Sequence, residues 1–424
     1  MATWQICGSC GERLSEMDPA TRCPCGGLLE IQHDRPMEDG ISLRRLFEER
    51  WGQHGDLDRS GVWRYRELVL PSAAGQAVSH PEGNTPLIRR TAVAEWSGLP
   101  ELMLKHEGHN PTGSFKDRGM TVGVTQARRI DAAAVACAST GNTSASLAAY
   151  AAQAGLTALV FVPAGQVALG KLSQSLAYGA RTLLVRGDFD ACLRLVQEAS
   201  TRLGVYLVNS INPFRLEGQK TIVLELLHQL RWHSPDWIVL PAGNLGNTAA
   251  FGKALREAHA WGLIERIPRL AAVQAAGAGP FAAAFAEHFA RRLTVKAETI
   301  ATAIKIGDPA SWDRAVRSIR ETNGVVTSVT DGEILEAKAV IDAAGVGCEP
   351  ASAASVAGAR QLVQRGVIQR GERVVAVLTG HVLKDPGALI TYHQETEPPP
   401  ARANRPVEIE ADLREVERVL RGSR

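Results

Sequence analysis

A lysine at the start of a helix is poorly placed for a cation. The run Asn110-Pro-Thr-Gly-Ser-Phe-Lys116-Asp-Arg118 puts one there. A turn-forming stretch rich in Gly, Ser and Thr leads into a helix expected over 114–129. The helix dipole disfavours an ammonium ion at that end and favours the neutral amine. The neutral amine is the form that condenses with a carbonyl to a Schiff base. Alone, such a lysine reads as an ordinary first-turn residue. Its company changes the reading. Gly243-Asn244-Leu245-Gly246-Asn247 lies between an expected strand at Trp237–Pro241 and an expected helix at 248–260. Glycine lets a backbone approach an anion closely, and a helix N-terminus offers unpaired N–H donors. Beside a Schiff-base lysine, this turn reads as a phosphate cradle.

A second constellation is made of cysteine. Four of the seven cysteines are clustered, as Cys7-Gly-Ser-Cys10 and Cys23-Pro-Cys25-Gly-Gly. Two short knuckles bring four thiolates together, which suits one tetrahedral zinc ion. All four ligands would be protein, which leaves no open position, so the zinc is expected to be structural. Cys137, Cys192 and Cys348 stand alone in apolar or helical contexts and read as reduced core thiols.

The elements that must position these groups follow a regular pattern. From about residue 86, strand, loop and helix alternate. Strands are expected at 102–106, 133–138, Ala158–Pro163, 181–186, 205–209, Trp237–Pro241, 270–275 and 374–379, with helices between them. That alternation implies an α/β fold with parallel sheets, whose ligands collect at the carboxyl ends of strands. The lysine loop and the glycine loop both lie at such ends. Before residue 86, a short helix is expected at 43–51, and Trp63-Arg64-Tyr65-Arg66-Glu67-Leu68 reads as an arm that packs on a larger body. Glu397-Pro-Pro-Pro opens a linker-like tail that ends in a charged, surface-helical stretch over 407–420.

Composition bounds the function. With 424 residues, 45% of them hydrophobic, the chain can bury a large core in two or three domains. The 47 basic and 45 acidic residues give a net charge of +2, which implies no strong field for nucleic acid or membrane. The N-terminus has no basic stretch followed by an apolar run, and the apolar segments are short and interrupted. A cytoplasmic protein with no membrane or nucleic-acid partner is expected.

The lysine motif resembles that of the serine/threonine dehydratase and threonine synthase superfamily, the fold-type II pyridoxal-phosphate enzymes. Further segments narrow the resemblance to the threonine synthases: Glu82-Gly-Asn-Thr-Pro-Leu87, Ser139-Thr-Gly-Asn-Thr-Ser-Ala-Ser146, Asn209-Ser-Ile-Asn-Pro-Phe-Arg-Leu-Glu-Gly-Gln-Lys220, Glu349-Pro-Ala-Ser352 and Leu378-Thr-Gly-His-Val-Leu-Lys-Asp-Pro386. It runs in consistent order from about Glu82 to Pro386. The resemblance implies two parallel-sheet domains, 36–107 plus 211–395 and 108–210, behind a zinc-ribbon-like module at 1–35, with a tail at 396–424. It implies pyridoxal phosphate on Lys116, with Gly243, Asn244, Leu245, Gly246 and Asn247 binding the cofactor phosphate. Asn142 would meet the cofactor's ring hydroxyl and Thr379 its pyridine nitrogen. Ser139, Thr140 and Thr143 would take the substrate carboxylate, and Ser210 and Arg215 the substrate phosphate. A homodimer and the conversion of O-phospho-L-homoserine and water to L-threonine and phosphate are implied with them. A threonine at the pyridine nitrogen cannot hold a proton there as a carboxylate would, so a less electron-withdrawing ring is expected.

Leu245 stands where the family often has a smaller residue, and Val382 where many members have glycine. These departures keep alternatives open on the same scaffold. They are a cysteate-synthase-like β-replacement, a threonine or serine dehydratase, or a specialised-metabolism paralogue on another phosphorylated or phosphonate amino acid. A nucleic-acid-binding zinc-ribbon protein with a dead enzyme body is the rival of a different class.

Overall fold

The computed structural model describes residues 1–139, 141–165 and 169–422. The described chain separates into a body, Met1–Asp385, and a unit at Pro386–Arg424. The body holds three sheets. The first is antiparallel, with strands β1 (Thr3–Cys7), β2 (Arg13–Ser15) and β3 (Leu29–His33) in the order β2-β1-β3. The largest takes β4 (Leu87–Ile88) and β5 (Met103–His106) together with four later strands. The smaller parallel sheet lies between them in sequence, with β6 (Ala134–Ala138), β7 (Ala158–Pro163), β8 (Arg181–Val185) and β9 (Val205–Leu207). The large sheet is completed by β10 (Trp237–Pro241), β11 (Arg269–Ala275), β12 (Val325–Val329) and β13 (Val374–Leu378). Its order is β12-β11-β10-β13-β5-β4, parallel except for the antiparallel edge pair β4–β5; the smaller order is β8-β7-β6-β9.

The strand sequences explain their places. All residues of β10 and β13, which read Trp-Ile-Val-Leu-Pro and Val-Val-Ala-Val-Leu, are buried. Such continuous apolar runs suit strands covered on both faces. By contrast β8 carries Arg181 and is largely exposed, as an edge strand should be. Apolar side chains fill both faces of the large sheet. Trp63, Tyr65, Phe47 and Leu68 join Phe214, Phe251 and Phe281 in one core, so the expected arm is built into the body. On the other face Leu104, Val239, Val273 and Ala376 pack with the helix Pro350–Gln364.

Element boundaries moved where side-chain or backbone contacts compete with helix formation. The first helix after β5 starts at Lys116, because Ser114 is taken into an antiparallel bridge with Gly380. The next begins at Asn142, and the one after β10 at Gly246, before the expected 248. Strand β12 was not anticipated; its Val-Val-Thr-Ser-Val is too short to show a period. In the second unit the helix spans Leu413–Gly422, starting later than expected. Asp412 accepts from the backbone N–H of Arg414 at 3.1 Å and sets that start.

Two helices that carry site residues meet backbone to backbone. On the helix Pro213–Gln229, a Cβ at Gly218 would lie 1.8 Å from the carbonyl oxygen of Arg118 on the helix Lys116–Arg129. The contact encloses an ionic cluster. Arg118 donates to Glu107 at 2.7 Å and to Glu225 at 2.8 Å, while Lys105 donates to Glu225 at 2.6 Å. These side chains are fully buried. Although burial opposes it, Arg118 and Lys105 hold the Glu225 carboxyl well below the usual carboxylate range.

Gly218→Ala is therefore expected to destabilise the protein by about 1–3 kcal/mol or more, despite alanine's better helix propensity. Gly371→Ala, with no atom within 4 Å of the added Cβ, should be neutral. Urea denaturation of the two variants beside the wild type checks this, and an unaffected Gly218→Ala would contradict the close helix contact.

Candidate active site

The site begins at the carboxyl end of β5. Each residue of the lysine run has a local task. Asn110 Oδ1 accepts from the Gly83 N–H at 2.9 Å, and Asn110 Nδ2 donates to Glu107 Oε2 at 2.8 Å. The Thr112 N–H and hydroxyl donate to Asp117 at 2.7 and 2.6 Å, and the Ser146 hydroxyl joins them at 2.6 Å. Burial nevertheless pushes the Asp117 carboxyl up to about 6. Gly113 takes φ +85°, a conformation that favours glycine. The turn is then tied to the end of β13: the Phe115 N–H donates to Thr379 O at 3.0 Å, and the His381 N–H to Gly113 O at 2.9 Å.

Lys116 is held in place by this backbone rather than by its own head group. Among the described residues its Nζ has no hydrogen-bond or ion-pair partner, and it lies 4.1 Å from the centroid of the Phe115 ring. Burial is the main cause that lowers its pKa to about 7; the Arg215 cation adds to this and Glu349 opposes it. The amine is thus substantially neutral near physiological pH, as the helix-start argument anticipates.

The other predicted residues fall at the carboxyl ends of parallel strands. After β10, Leu245 takes φ +63° and caps the helix Gly246–Ala260, with its side chain buried in the core. Asn244 donates to Ser210 Oγ at 2.5 Å and accepts from the Ala310 N–H at 2.6 Å. Gly246 has only Gln219 and Leu216 atoms near its missing Cβ, the nearest at 3.5 Å. After β6, Gly141 precedes the helix Asn142–Ala154, whose first turn has no side-chain cap. Ser139 Oγ accepts from the Gly141 N–H at 3.3 Å, and Thr143 is partly buried in the first turn. Thr140 lies outside the described residues. Asn209 clamps this loop by donating to and accepting from the Ala138 backbone at 3.2 and 3.1 Å. Arg215 is 1% exposed on the helix Pro213–Gln229, with Nη1 donating to Val208 O at 2.9 Å. Burial lowers its pKa to about 10, so it stays a cation at neutral pH.

The buried polar atoms left over test whether a phosphorylated aldehyde cofactor fits. Among the described residues, Arg215 Nε and Nη2, Asn247 Oδ1, Thr248 Oγ1 and Gln219 Oε1 have no hydrogen-bond partner. Orphaned buried groups call for a ligand or water. The donors among them, Arg215 Nε and Nη2 and the Thr248 hydroxyl, lie at the Arg215 turn and the Gly246 helix start, where anionic oxygens would pair with them. The arrangement fits such a group: a neutral amine, an N–H-rich turn and a half-paired guanidinium.

Sequence reasoning noted Glu349 only as part of a motif. It is buried, with Oε2 accepting from Asn142 Nδ2 at 3.0 Å and Oε1 from Thr379 Oγ1 at 3.2 Å. A glutamate directly before the proline of a helix start was the available signal. The departures noted in sequence are absorbed by packing: Leu245 is core, and Val382 packs on Gly347, whose Cβ would lie 3.3 Å from Val382 Cβ.

At the N-terminus, the sulfur atoms of Cys7, Cys10, Cys23 and Cys25 all lie within 4.8 Å of one another. Cys7 Sγ is 3.5 Å from Cys25 Sγ, and Cys10 Sγ 3.6 Å from Cys23 Sγ. Four zinc–sulfur bonds of ~2.3 Å in a tetrahedron give edges of roughly 3.8 Å, close to these separations. A Cβ at Gly27 would lie 2.6 Å from Cys7 Sγ, so glycine is needed there.

Comparison with known proteins gives a consistent picture. The family described as pyridoxal-phosphate dependent enzymes matches residues 78–380. Threonine synthase of Methanocaldococcus jannaschii is 44% identical over 420 residues, covering 98% of this chain and 99% of that protein. Threonine synthase of Methanosarcina acetivorans is 47% identical over 393 residues, 92% of this chain and 94% of that one. Among solved structures, Escherichia coli threonine synthase matches with a TM-score of 0.71 over 99% of this chain and 100% of that one, at 18% identity. Maize serine racemase gives 0.64 over 80% of this chain and 96% of that one, at 21% identity. At such identities the structural matches speak for the fold.

In cofactor-free protein, amine-selective acylation mapped by mass spectrometry should show Lys116 reactivity rising with a midpoint near pH 7. Below that pH the ammonium form protects it, and above it the free amine reacts. An ordinary lysine midpoint of about 10.4 would reject the desolvated amine.

Proposed function

The chain belongs to the pyridoxal-phosphate-dependent enzymes and, among them, to the threonine synthases; on that premise we propose that the Lys116 cleft converts O-phospho-L-homoserine and water to L-threonine and phosphate. The observation that carries this reading is the unpartnered Lys116 amine standing in the field of a buried, half-paired Arg215. One group is suited to take the carbonyl of the cofactor, the other a phosphate on the substrate.

Bound pyridoxal phosphate supplies an aldehyde that links to Lys116 and a ring that draws off charge from the substrate's α-carbon. The protein does the rest. Gly243, Asn244, Leu245, Gly246 and Asn247 form the turn for the cofactor phosphate, with backbone N–H groups at the helix start. Asn142 would hold the ring hydroxyl and Thr379 the ring nitrogen. Ser139, Thr140 and Thr143 bind the substrate carboxylate at the start of the helix Asn142–Ala154. Ser210 and Arg215 bind the substrate phosphate, the guanidinium through a planar fork of donors. Lys116, once free, would remove the proton at Cα and then one at Cβ, so that phosphate can leave the γ-carbon, after which water would add at Cβ to give the threonine hydroxyl. A pKa near 7 lets the same amine accept and return those protons. The unpaired Arg215 donors suit a phosphorylated substrate, which no dehydratase acting on serine or threonine needs. Zinc on Cys7, Cys10, Cys23 and Cys25, a homodimer and a cytoplasmic location complete the proposal. Among the described residues no helix is long and apolar enough to cross a membrane.

Phosphate release from O-phospho-L-homoserine, with threonine identified as product, tests the reaction; turnover of phosphoserine or threonine in its place would support a rival on the same scaffold. In the same assay Arg215→Ala should lower kcat/KM by about 10- to 100-fold, since charge-assisted hydrogen bonds are worth roughly 1.5–3 kcal/mol. Arg215→Lys should restore only part. Equal losses for phosphohomoserine and a phosphate-free analogue would reject the phosphate role.

Elemental analysis is expected to find one zinc per chain, absent from Cys7→Ser and Cys23→Ser. Both variants should loosen the N-terminal module, read by limited proteolysis, before activity falls. A metal-free wild type of full stability rules the zinc out.

A further inference from the structure

Glu349 is a buried carboxyl group to which the reading above gives no task. It is 3% exposed and sits directly before Pro350, in the cap position of the helix Pro350–Gln364. A carboxylate in that position ordinarily accepts from first-turn N–H groups. This one makes no such bond and turns instead toward the cleft. Its two oxygens each meet one donor, Asn142 Nδ2 at 3.0 Å and Thr379 Oγ1 at 3.2 Å. The geometry leaves little freedom. A Cβ at Gly380 would lie 2.5 Å from Glu349 Cδ, so the carboxyl packs flat on a glycine that follows Thr379. The Glu349 N–H donates to Gly380 O at 3.1 Å, which locks the two segments together.

The direction of each hydrogen bond matters. A carboxylate only accepts, whereas a hydroxyl has one proton to give. With the Thr379 proton on the Glu349 side, a lone pair is what Thr379 offers to a ring nitrogen. That contact then requires a proton on the nitrogen. Ser352 Oγ lies 3.1 Å from Thr379 Oγ1 and accepts from the Gly380 N–H at 3.0 Å, and its own proton can go to the second Thr379 lone pair or, at the longer 3.4 Å, to Gly380 O. Asn142 Nδ2 has two protons; one goes to Glu349, and the other remains for the ring oxygen.

We propose that Glu349 is a positioning residue that orients Asn142 and Thr379 and, through the Thr379 hydroxyl, keeps a proton on the cofactor's ring nitrogen. The inference rests on the assignment of those two residues to the ring. Burial raises the Glu349 pKa above the usual carboxylate range, opposed by the hydrogen bonds from Asn142 and Thr379 and by the Lys384 cation; the two donors facing its two oxygens are what suit a carboxylate there. The expectation that Thr379 leaves the ring poorly electron-withdrawing considered the hydroxyl alone; the structure puts a carboxyl group behind it. A protonated ring strengthens the withdrawal of charge from Cα, which two successive proton removals by Lys116 require.

The test is nitrogen-15 NMR of holoenzyme reconstituted with cofactor labelled at the ring nitrogen. The wild type at neutral pH should show a protonated pyridine. Glu349→Gln offers one acceptor to two donors and should shift the signal to the unprotonated position. Thr379→Val keeps the carboxyl but cuts the path, and should give the same loss. Borohydride reduction followed by peptide mapping on the same samples reports whether the cofactor is on Lys116. A label on another lysine overturns the functional reading itself. With the label on Lys116, an unprotonated wild-type nitrogen, or a Glu349→Gln signal unchanged from the wild type, overturns the proposal. If Glu349→Gln does not fold or load, the wild-type and Thr379→Val signals decide by the same criterion.

Discussion

Keeping an amine neutral in a protein requires that its ammonium form be poorly solvated and poorly paired, and this constraint shapes the surroundings of Lys116. A side chain denied a partner cannot anchor itself, so its backbone must be anchored by other means. The bridge from Ser114 to Gly380 and the bonds flanking it, from Phe115 to Thr379 and His381 to Gly113, do this across 266 positions of sequence, 380 less 114. Asp117 is fixed by Thr112 and Ser146, so the residues on either side of Lys116 are rigid while its amine is not engaged.

The same segment carries the opposite solution two residues further on. Arg118 is as buried as a charge can be, and it is paired with Glu107 and Glu225. Removing one partner from such a cluster leaves an uncompensated charge, whereas the intact set is tolerated. Its effect is geometric. Lys105 on β5, Glu107 after it, Arg118 on the lysine helix and Glu225 on the helix of Arg215 become one unit. The close approach at Gly218 and Gly119 makes that unit possible, since any larger residue at 218 would separate the helices.

That helix also reaches the N-terminal module. Glu217 accepts from His33 at 3.0 Å and pairs with Lys220 at 2.6 Å, while Lys253 contacts Glu217 and donates to Ile31 O at 2.5 Å. Arg317 binds Glu30 at 2.6 Å. The cysteine module therefore rests on the far side of the helices whose first turns carry Arg215 and the glycine-rich loop. Its docking combines long cationic side chains with the apolar Ile31, which joins the main core, and it supports the site without entering it.

What was legible in the sequence was local. The lysine run, the turn at Gly243–Asn247 and the paired cysteines are contiguous, and their spacing alone selects a turn, a helix start or a metal knuckle. The alternation of apolar runs with amphipathic stretches likewise determined a parallel α/β fold, because each strand must be covered on both faces. Strand order, the bridge that holds Lys116, the unpaired donors of Arg215 and the position of Glu349 were decided only by tertiary structure. Asn142 and Glu349 are 207 positions apart, and no local propensity couples them. They meet because parallel strands place all their carboxyl ends on one side, and the loops gathered there come from distant parts of the chain. A helix cap is normally satisfied by its own helix; whether Glu349 turns inward instead depends on donors that only the folded protein brings within reach.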